Sequence, residues 1–328
     1  MRAVVIEQYG GPEVVQIQER PAPEPGPGQV AIAVRFASVN FTDVRNRIGD
    51  GLGRVPFTPG VEVSGRVLSV GPGVEGFPVG QPVAALTRGS AHAEIAVAPA
   101  TSTVAITEEL AAKPESGAML VALPLALLLL RKAAFIAPED VVVVHSAAGG
   151  VGTALAQVAV ADGREPLWGT VGSPAKAAFA TAHGFGSVFS YEDFASAVLE
   201  RTGGRGADVV LDPIGGTIRT ASLEVLASFG RLVSYSNISR QPEPLPDAEW
   251  LRARCVACIG VSVGQLTARS PGAMRPFHDE AVRLVRDGVV DLAVTDVLPL
   301  EEAATAHRLF AERKAQGKLV LAVTGERA

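Results

Sequence analysis

The stretch VVVVHSAAGGVG, residues 141–152, decides the fold of the middle part of this chain. Four consecutive valines predict a strand that is buried on both faces of a parallel sheet. The glycines at 149, 150 and 152 predict a sharp turn, and the alanine-rich run up to residue 161 predicts a helix. A strand, a glycine turn and a helix in this order place free backbone N–H groups and the helix dipole where a pyrophosphate can bind. The alternative is a glycine-rich turn that binds no ligand.

Strands and helices alternate on the C-terminal side of this stretch. The sequence predicts strands at 167–171, 207–212, 230–235 and 318–323, and helices at 117–134, 174–182, 273–287 and 301–314. Strands separated by helices of this length indicate βαβ units, and therefore an α/β fold with a doubly wound parallel sheet of the Rossmann type. The first third differs, because short β-type runs at 30–36 and 61–70 alternate there with turn residues. We therefore predict a mostly-β domain at 1–117, completed by 265–328, and a Rossmann domain at 118–264.

Composition narrows the class of protein. The chain has 328 residues, of which 48% are apolar and 19% charged, so two globular domains are expected. The net charge of −5 and the lack of a basic block argue against a nucleic-acid partner. The longest apolar run, 117–130, is interrupted by Pro124 and is too short for a membrane span. An acid at Glu7 comes too early for a signal peptide, so we expect a cytoplasmic protein.

The second predicted strand indicates which dinucleotide binds. NAD sites usually have an acid at the end of this strand, and residues 169–176 contain none. Gly169 and Thr170 end the strand, and Ser173 and Lys176 are available for a 2′-phosphate. A lone lysine such as Lys176 is usually a solvated helix residue, so the missing carboxylate is the stronger part of the argument. We therefore expect NADPH as the cofactor.

Several further motifs occur in a characteristic order. They are VNFTD at 39–43, PFTPGVEVSG at 56–65, VG at 70–71 and again at 79–80, LLRK at 129–132, AAGGVG at 147–152, GGRGADVVLD at 203–212, GRLV at 230–233 and GKLVL at 317–321. With these motifs the chain resembles the medium-chain dehydrogenase/reductase superfamily over nearly its whole length. It is most similar to the zinc-free quinone oxidoreductase branch, which includes zeta-crystallin-like proteins and polyketide enoyl reductases.

The resemblance implies a GroES-like catalytic domain with an inserted Rossmann domain, and a cleft between them for nicotinamide and substrate. It also implies a homodimer formed by pairing of Rossmann edge strands, for which residues 255–261 are the candidate. The implied cofactor-binding residues are Asn40, Ala148, Gly149, Gly150, Val151, Gly152, Gly169, Thr170, Ser173, Lys176, Tyr191, Ser236, Asn237 and Lys318.

No metal site is expected. Zinc-dependent relatives have Cys and His at the positions of Asn40 and Val61, and neither of these two side chains is a good zinc ligand. The pair Cys255 and Cys258 has metal-like spacing but no second pair, so we interpret it as two small buried side chains on a strand. Glu62, without a metal, is expected to pair with Arg66 or to line the cleft.

The candidate catalytic residues are Asn40, Asp43, Arg45 and His92. Reduction of an activated alkene needs a donor aimed at the enolate oxygen and a proton source for the α-carbon. Related reductases often carry a tyrosine shortly after the NFTD segment, and here Arg45 stands at one of those positions. Arg45 or Arg47 would stabilise an enolate or bind an anionic group, unless both are solvated surface residues. His92 is either a proton donor or a space-filling side chain.

Two further features bear on function. Leu125 replaces a threonine that touches the nicotinamide ribose in relatives, and His145 is expected to be structural. The sequence thus predicts a metal-free NADPH-dependent reductase of a quinone, enone or enoyl thioester. The alternatives are a redox-neutral cyclase or isomerase that retains the cofactor, and a non-enzymatic binding protein.

Overall fold

The computed structural model describes residues 1–51, 53–242, 246–270 and 272–323. The chain divides into two compact units, one formed by Met1–Pro124 with His278–Ala328 and the other by Leu125–Phe277. The sequence predicts domain boundaries at 117/118 and 264/265, and these boundaries stay a prediction. No helix among the described residues is long and apolar enough to cross a membrane.

The first unit is built mainly from strands. They are β1 (Arg2–Ile6), β2 (Val15–Glu19), β3 (Gln29–Val39), β4 (Glu62–Val70), β5 (Pro82–Leu86), β6 (Ile95–Pro99) and β7 (Thr103–Ala105), with β14 (Val294–Pro299) and β15 (Lys318–Ala322) from the C-terminal part. Its helices are α1 (Phe41–Arg47), α2 (Glu108–Ala111) and α11 (Ala303–Ala311), and 3₁₀ turns cover Pro12–Val14, Ala100–Ser102, Pro114–Gly117 and Leu300–Glu302. Helix α3 (Ala122–Leu128) and helix α10 (Arg275–Arg286) span the unit boundaries.

Strand β3 is the centre of this unit. The seven-stranded sheet has the order β14-β15-β3-β4-β5-β7, and β6 pairs with β3 as well. The register of β3 against β4 shifts between Ala31 and Ile32 and again between Val34 and Phe36, and such bulges bend a strand. This bending lets one long strand pair with β15 near its C-terminal end and with β6 near its N-terminal end. The buried faces form one apolar core around Ile32, Val34, Val63 and Leu319.

The second unit has a Rossmann-type sheet. Its strands are β8 (Val142–His145), β9 (Trp168–Val171), β10 (Ser187–Ser190), β11 (Ala207–Asp212), β12 (Leu226–Ser234) and β13 (Ala257–Gly260). Its helices are α4 (Gly150–Ala161), α5 (Pro174–Ala182), α6 (Phe194–Arg201), α7 (Gly216–Glu224), α8 (Ala248–Arg254) and α9 (Val263–Arg269). All pairs are parallel, in the order β10-β9-β8-β11-β12-β13. The chain moves outward from β8 in both directions, so the crevice of a doubly wound sheet lies at the carboxyl end of β8.

Two local predictions are corrected by the structure. The helix expected at 117–134 begins only at Ala122 and ends in a π-helical turn at Leu129–Ala133. The N–H groups of Leu120 and Val121 donate to the Glu62 carboxylate instead of to a helix turn. Cys255 does not lie buried on a strand, because it ends α8 in a left-handed conformation with φ 52° and is exposed. Cys258 lies half-buried in β13.

Candidate active site

The glycine turn follows β8 as the sequence predicts. Helix α4 begins at Gly150, with Gly149 as its N-cap and no side-chain capping bond. The first N–H groups of a helix have no partner within the helix, and at this end the dipole is positive. Ser146 adopts a left-handed conformation, φ 60°, and its N–H donates to the Tyr191 hydroxyl at 3.1 Å. The turn therefore has the donors and the charge that a pyrophosphate needs, and its residues fit a dinucleotide.

Glycine at position 152 is required by packing. A Cβ there would lie 2.5 Å from the carbonyl oxygen of Ser146 and 2.6 Å from that of Ala147. Both neighbours are backbone atoms, and shifting them would strain the turn. Gly152 thus lets α4 pack closely against the end of β8, and this places the helix N-terminus at the turn. The roles of Ala148, Gly149, Gly150, Val151 and Gly152 toward the cofactor stay predictions.

Gly169 and Thr170 are engaged inside the unit. A Cβ at Gly169 would lie 2.6 Å from the Ala147 Cβ and 2.9 Å from the Phe185 ring, so glycine is needed for packing. The Thr170 side chain is fully buried and lies 2.7 Å from Nδ1 of His145. Both residues pack inside the unit, and their predicted contact with the cofactor stays a prediction.

Ser173, Lys176 and Tyr191 surround the start of α5. Ser173 is the N-cap of this helix and makes no side-chain capping bond, and Lys176 lies in the first turn. Burial lowers the pKa of the Lys176 ammonium. The Tyr191 ring lies near Gly172, where a Cβ would be 3.5 Å from it. A hydroxyl, an ammonium and a phenol at a positive helix end suit a phosphate monoester, so the residues fit the 2′-phosphate of NADPH.

His145 is a structural residue, and its tautomer follows from its partners. The Ser222 hydroxyl donates to the Ile218 carbonyl oxygen, so it accepts from Nε2 of His145 at 2.7 Å. Nδ1 then accepts the proton of the Thr170 hydroxyl. Burial lowers the pKa of His145 to about 4. The ring is therefore neutral at pH 7 and links β8, β9 and α7.

Ser236 and Asn237 follow β12 and are fixed by a buried ion pair. Arg219 Nε donates to Asp212 Oδ2 at 2.7 Å, and its Nη2 donates to the Ser236 carbonyl oxygen at 2.9 Å. Asp212 is fully buried and also accepts from the N–H of Ile214 at 2.6 Å. Asn237 accepts from the Ser239 hydroxyl at 2.9 Å within the same loop. The loop expected to follow the cofactor is thus held at the carboxyl end of the sheet.

A second polar cluster lies in the first unit, where β3, β4 and β15 meet. Lys318 Nζ donates to Asn40 Oδ1 at 2.7 Å, to Ser38 Oγ at 3.3 Å and to Glu62 Oε2 at 3.4 Å. Ser38 Oγ donates to Glu62 Oε2 at 2.5 Å and accepts from Asn40 Nδ2 at 2.8 Å. Ser38 and Glu62 are fully buried and Lys318 is 4% exposed, whereas Asn40 is half-buried. We call these four residues the Asn40 cluster.

Glu62 does not pair with its predicted partner Arg66, and the alternative that it lines the cleft stays a prediction. It pairs with Lys318 rather than with Arg66, and Arg66 forms a surface ion pair with Glu108. The reason is the position of Glu62 at the start of β4, where its side chain is fully buried. A buried carboxylate needs a nearby cation and further hydrogen bonds.

Asp43 and His92 lie beside the Asn40 cluster. Asp43 accepts from the N–H of Asn40 at 2.8 Å, which completes a capping box at the start of α1, and from the N–H of Gly60 at 2.9 Å. Burial raises the pKa of its carboxyl, against the opposing effect of His92. His92 is fully buried, and its Nε2 lies 3.1 Å from the Ser38 carbonyl oxygen. Both residues therefore act within the protein interior, which favours the space-filling interpretation of His92.

Arg45 and Arg47 differ from each other, and only one fits the surface alternative. Arg45 is partly exposed and pairs with Asp50, whose carboxylate lies 3.3 Å from Nε. Arg47 is only 2% exposed, and its Nε donates to the Gly10 carbonyl oxygen at 3.1 Å. Arg47 is therefore not solvated, so the surface alternative is wrong for this residue, and its predicted effect on an enolate or an anionic group stays a prediction.

Within the described part of the chain, no group of three or more His, Cys, Asp or Glu side chains is arranged to hold a metal ion. At position 40, where zinc-dependent relatives have a cysteine, this chain has the Asn40 amide, which is bonded to the Lys318 ammonium.

Known proteins resemble the chain over nearly its whole length. Residues 26–115 match the family model described as alcohol dehydrogenase GroES-like domain, and residues 183–321 match the one described as zinc-binding dehydrogenase. A probable quinone oxidoreductase of Schizosaccharomyces pombe is 31% identical over 97% of this chain and 96% of its own length. A 2-haloacrylate reductase of a Burkholderia species is 33% identical over 97% of this chain and 98% of its own.

Solved structures agree with these relatives. The Escherichia coli quinone oxidoreductase complexed with NADPH has a TM-score of 0.90 at 27% identity, covering 98% of this chain and 100% of that one. A mycobacterial protein complexed with NADPH has a TM-score of 0.89 at 32% identity, with the same coverage. Together with the turn and the two sheets, these findings define an NADPH-dependent oxidoreductase. The chain belongs to the medium-chain dehydrogenase/reductase superfamily, in its quinone oxidoreductase branch.

Sequence reasoning missed two residues that organise the site, and it gave a third the wrong partner. The missed residues are Ser38, which belongs to the Asn40 cluster, and Arg219, which anchors the Ser236 carbonyl, and the third is Glu62. A charged residue in a predicted buried strand, as at Glu62, is a signal that it has a partner. The identity of that partner was not accessible, because Lys318 lies 256 residues further along the chain.

Proposed function

We propose that this chain is a metal-free, NADPH-dependent reductase of a quinone, an enone or an enoyl thioester. The observation that carries the proposal is the Asn40 amide, a half-buried hydrogen-bond donor fixed by a buried ammonium. Addition of hydride to the β-carbon of an activated alkene, or to a quinone, places negative charge on a carbonyl oxygen. A preorganised N–H donor stabilises that charge without a Lewis acid.

The substrate class draws on the relatives. They include a quinone oxidoreductase, a 2-haloacrylate reductase and, for a structure with a TM-score of 0.86 at 25% identity, CurK enoyl reductase. The acceptors that these names imply share a C=C bond conjugated to a carbonyl group. NADPH, when bound, supplies the hydride. We propose that Asn40 binds the reacting end of the complex, and that the glycine turn and the Ser173–Lys176 segment bind the phosphates.

Four catalytic assignments follow from this proposal. Asn40 is the donor that contacts the ligand. Asp43 and His92 act on its position, because both are fully buried. Arg45 is partly exposed, and we propose that it binds an anionic group of the substrate in exchange for its bond to Asp50.

The direct test is NADPH oxidation, followed at 340 nm with a panel of quinones, enones and enoyl thioesters. The protein is first treated with a chelator, and we expect the turnover to be unchanged. Tight NADPH binding without turnover on any acceptor would contradict the reductase proposal. Loss of turnover on chelation, with recovery on addition of zinc, would contradict the metal-free part.

A redox-neutral reaction is the second candidate. It is favoured by the residue at position 45, where relatives carry a tyrosine that donates a proton. Here the residue is Arg45, which pairs with Asp50 and is not a comparable proton donor. Product analysis with NADPH deuterated at the transferable position separates the two candidates. Deuterium in the product supports the reductase, and its consistent absence supports a cyclase or isomerase.

We also propose a homodimer that forms through the edge strand β13. This strand is the last in the sheet order, and its residues are exposed or half-buried. The other proposed partner is a small molecule, and we propose a cytoplasmic location without a nucleic-acid or membrane partner. Light scattering at several protein concentrations tests the dimer, and a monomeric mass at all of them would contradict it.

A further inference from the structure

Three of the four residues of the Asn40 cluster are buried. Ser38 and Glu62 are fully buried and Lys318 is 4% exposed, and the neighbouring Asp43 is also fully buried. Asn40 alone is half-buried. A ligand that uses this cluster must therefore meet it at the Asn40 amide.

Lys318 has no N–H left for a ligand. An ammonium has three N–H donors, and those of Lys318 have three acceptors, on Asn40, Ser38 and Glu62. The shortest of the three bonds, 2.7 Å, goes to Asn40 Oδ1. A direct contact of Lys318 with the cofactor, which the resemblance implies, would require one of these three bonds to break.

The ammonium fixes which way the Asn40 amide faces. With Oδ1 held by Lys318, the amide nitrogen must be the donor. Nδ2 lies 2.8 Å from Ser38 Oγ and 3.4 Å from Glu62 Oε2, two oxygens that are themselves only 2.5 Å apart. One N–H therefore serves both, and the second N–H of Nδ2 is available to a ligand. A cation on Oδ1 also polarises the amide, which strengthens this N–H as a donor.

Glu62 holds the ammonium in place. Its Oε2 accepts from Lys318 and Ser38, and its Oε1 accepts from the N–H groups of Leu120 and Val121 before α3. A buried ammonium without a carboxylate nearby is strongly destabilised in the interior. The Glu62 carboxylate therefore holds the Lys318 ammonium in place against Asn40.

We propose that Glu62 and Lys318 are positioning residues for catalysis, which act through the Asn40 amide and never touch the ligand. The cation on Asn40 Oδ1 makes the outward N–H a stronger donor to the oxygen that gains charge during hydride transfer. This inference rests on the proposed reductase function. It extends that function by assigning the missing electrostatic stabilisation to a buried Lys–Glu pair instead of to a tyrosine.

A double-mutant cycle tests the proposal. The variants are Glu62→Gln, Asn40→Ala and the double variant, and Glu108→Gln is the matched control, because it removes the charge of an exposed carboxylate paired with Arg66 in the same unit. We expect Glu62→Gln to lower kcat/KM about tenfold, mainly through kcat, because the donor acts on charge that forms in the transition state. In the Asn40→Ala background the same substitution should change kcat/KM by less than about twofold. The control should match the wild type.

Equal effects of Glu62→Gln in both backgrounds would overturn the proposal, and so would an unchanged kcat/KM with a lowered Tm. If Glu62→Gln does not fold, Lys318→Met takes its place in the cycle, with the same expected coupling to Asn40→Ala. If the wild type reduces no acceptor, the proposed function fails by itself. The Kd for NADPH is then measured for the same variants. Coupling between the effects of Glu62→Gln and Asn40→Ala on this Kd supports the positioning role, and additive effects overturn it.

Discussion

Mild acid should weaken the second unit through His145. Burial lowers the pKa of this ring from its ordinary value of 6.5 to about 4 in the folded state. The unfolded chain therefore binds a proton at a higher pH than the folded chain does, and the stability is present above pH 6.5 and is lost as the pH falls toward 4. The difference corresponds to about 3 kcal/mol in total, of which about 2 kcal/mol is lost between about pH 7 and pH 5.

The assay is urea unfolding at pH values from about 7 to 5, followed by intrinsic fluorescence, for the wild type and for His145→Asn. We expect the variant to lose about 2 kcal/mol less than the wild type over this range, since it has no ring to protonate. His307, whose pKa burial also lowers, contributes with the same sign in both proteins, so the comparison isolates His145.

The matched control is Ser222→Ala. It removes the 2.7 Å bond to Nε2 but leaves the ring, so it should cost about 1 kcal/mol at every pH and retain the wild-type pH dependence. Superimposable pH profiles for the wild type and His145→Asn would refute the reasoning. NADPH affinity measured in parallel should fall at the same pH as stability, because His145 directly precedes the glycine turn.

Three further predictions concern the second unit. Gly152→Ala should weaken NADPH binding at least about tenfold and cost about 2 kcal/mol by thermal unfolding, because its Cβ meets backbone oxygens at 2.5 and 2.6 Å; Gly264→Ala, which faces open space, should do neither. Arg219→Met should cost about 3–5 kcal/mol in urea unfolding, because it leaves the buried Asp212 carboxylate without its cation, and a loss below about 1 kcal/mol would contradict this. Lys176→Met should raise KM for NADPH about tenfold and leave KM for NADH unchanged in steady-state assays, and an equal rise for both would show that the lysine does not bind the 2′-phosphate.

The glycine turn could be predicted because its signals are local. A run of valines, three glycines and an alanine-rich helix lie within residues 141–161, and α4 ends at the predicted residue, Ala161. Helix α5 and strand β11 have the predicted bounds, since proline and glycine mark their ends. The fold class was predicted correctly, and the family comparison confirmed it.

The site in the first unit could not be predicted in the same way. Lys318, Glu62 and Asn40 come from three separate strands or strand ends, and only the sheet order brings them together. The burial of Arg47 depends on a carbonyl oxygen at Gly10, which no helix periodicity reports. Cys255 was misplaced because an apolar run predicts a strand, whereas its left-handed turn comes from the end of α8.

The pairing of β3 with β15 also has a consequence for biosynthesis. Leu319 pairs with Val39, and Lys318 lies 280 residues after Ser38, so the central sheet of the first unit closes only after residues 318–322 have been synthesised. The second unit is one continuous segment, Leu125–Phe277, and has all its strands much earlier. A nascent chain therefore has its phosphate turn before it has its donor network. Until Lys318 emerges, Glu62 lacks its cation, so a ribosome-bound chain that stalls before residue 318 contains a carboxylate that opposes closure of its own core.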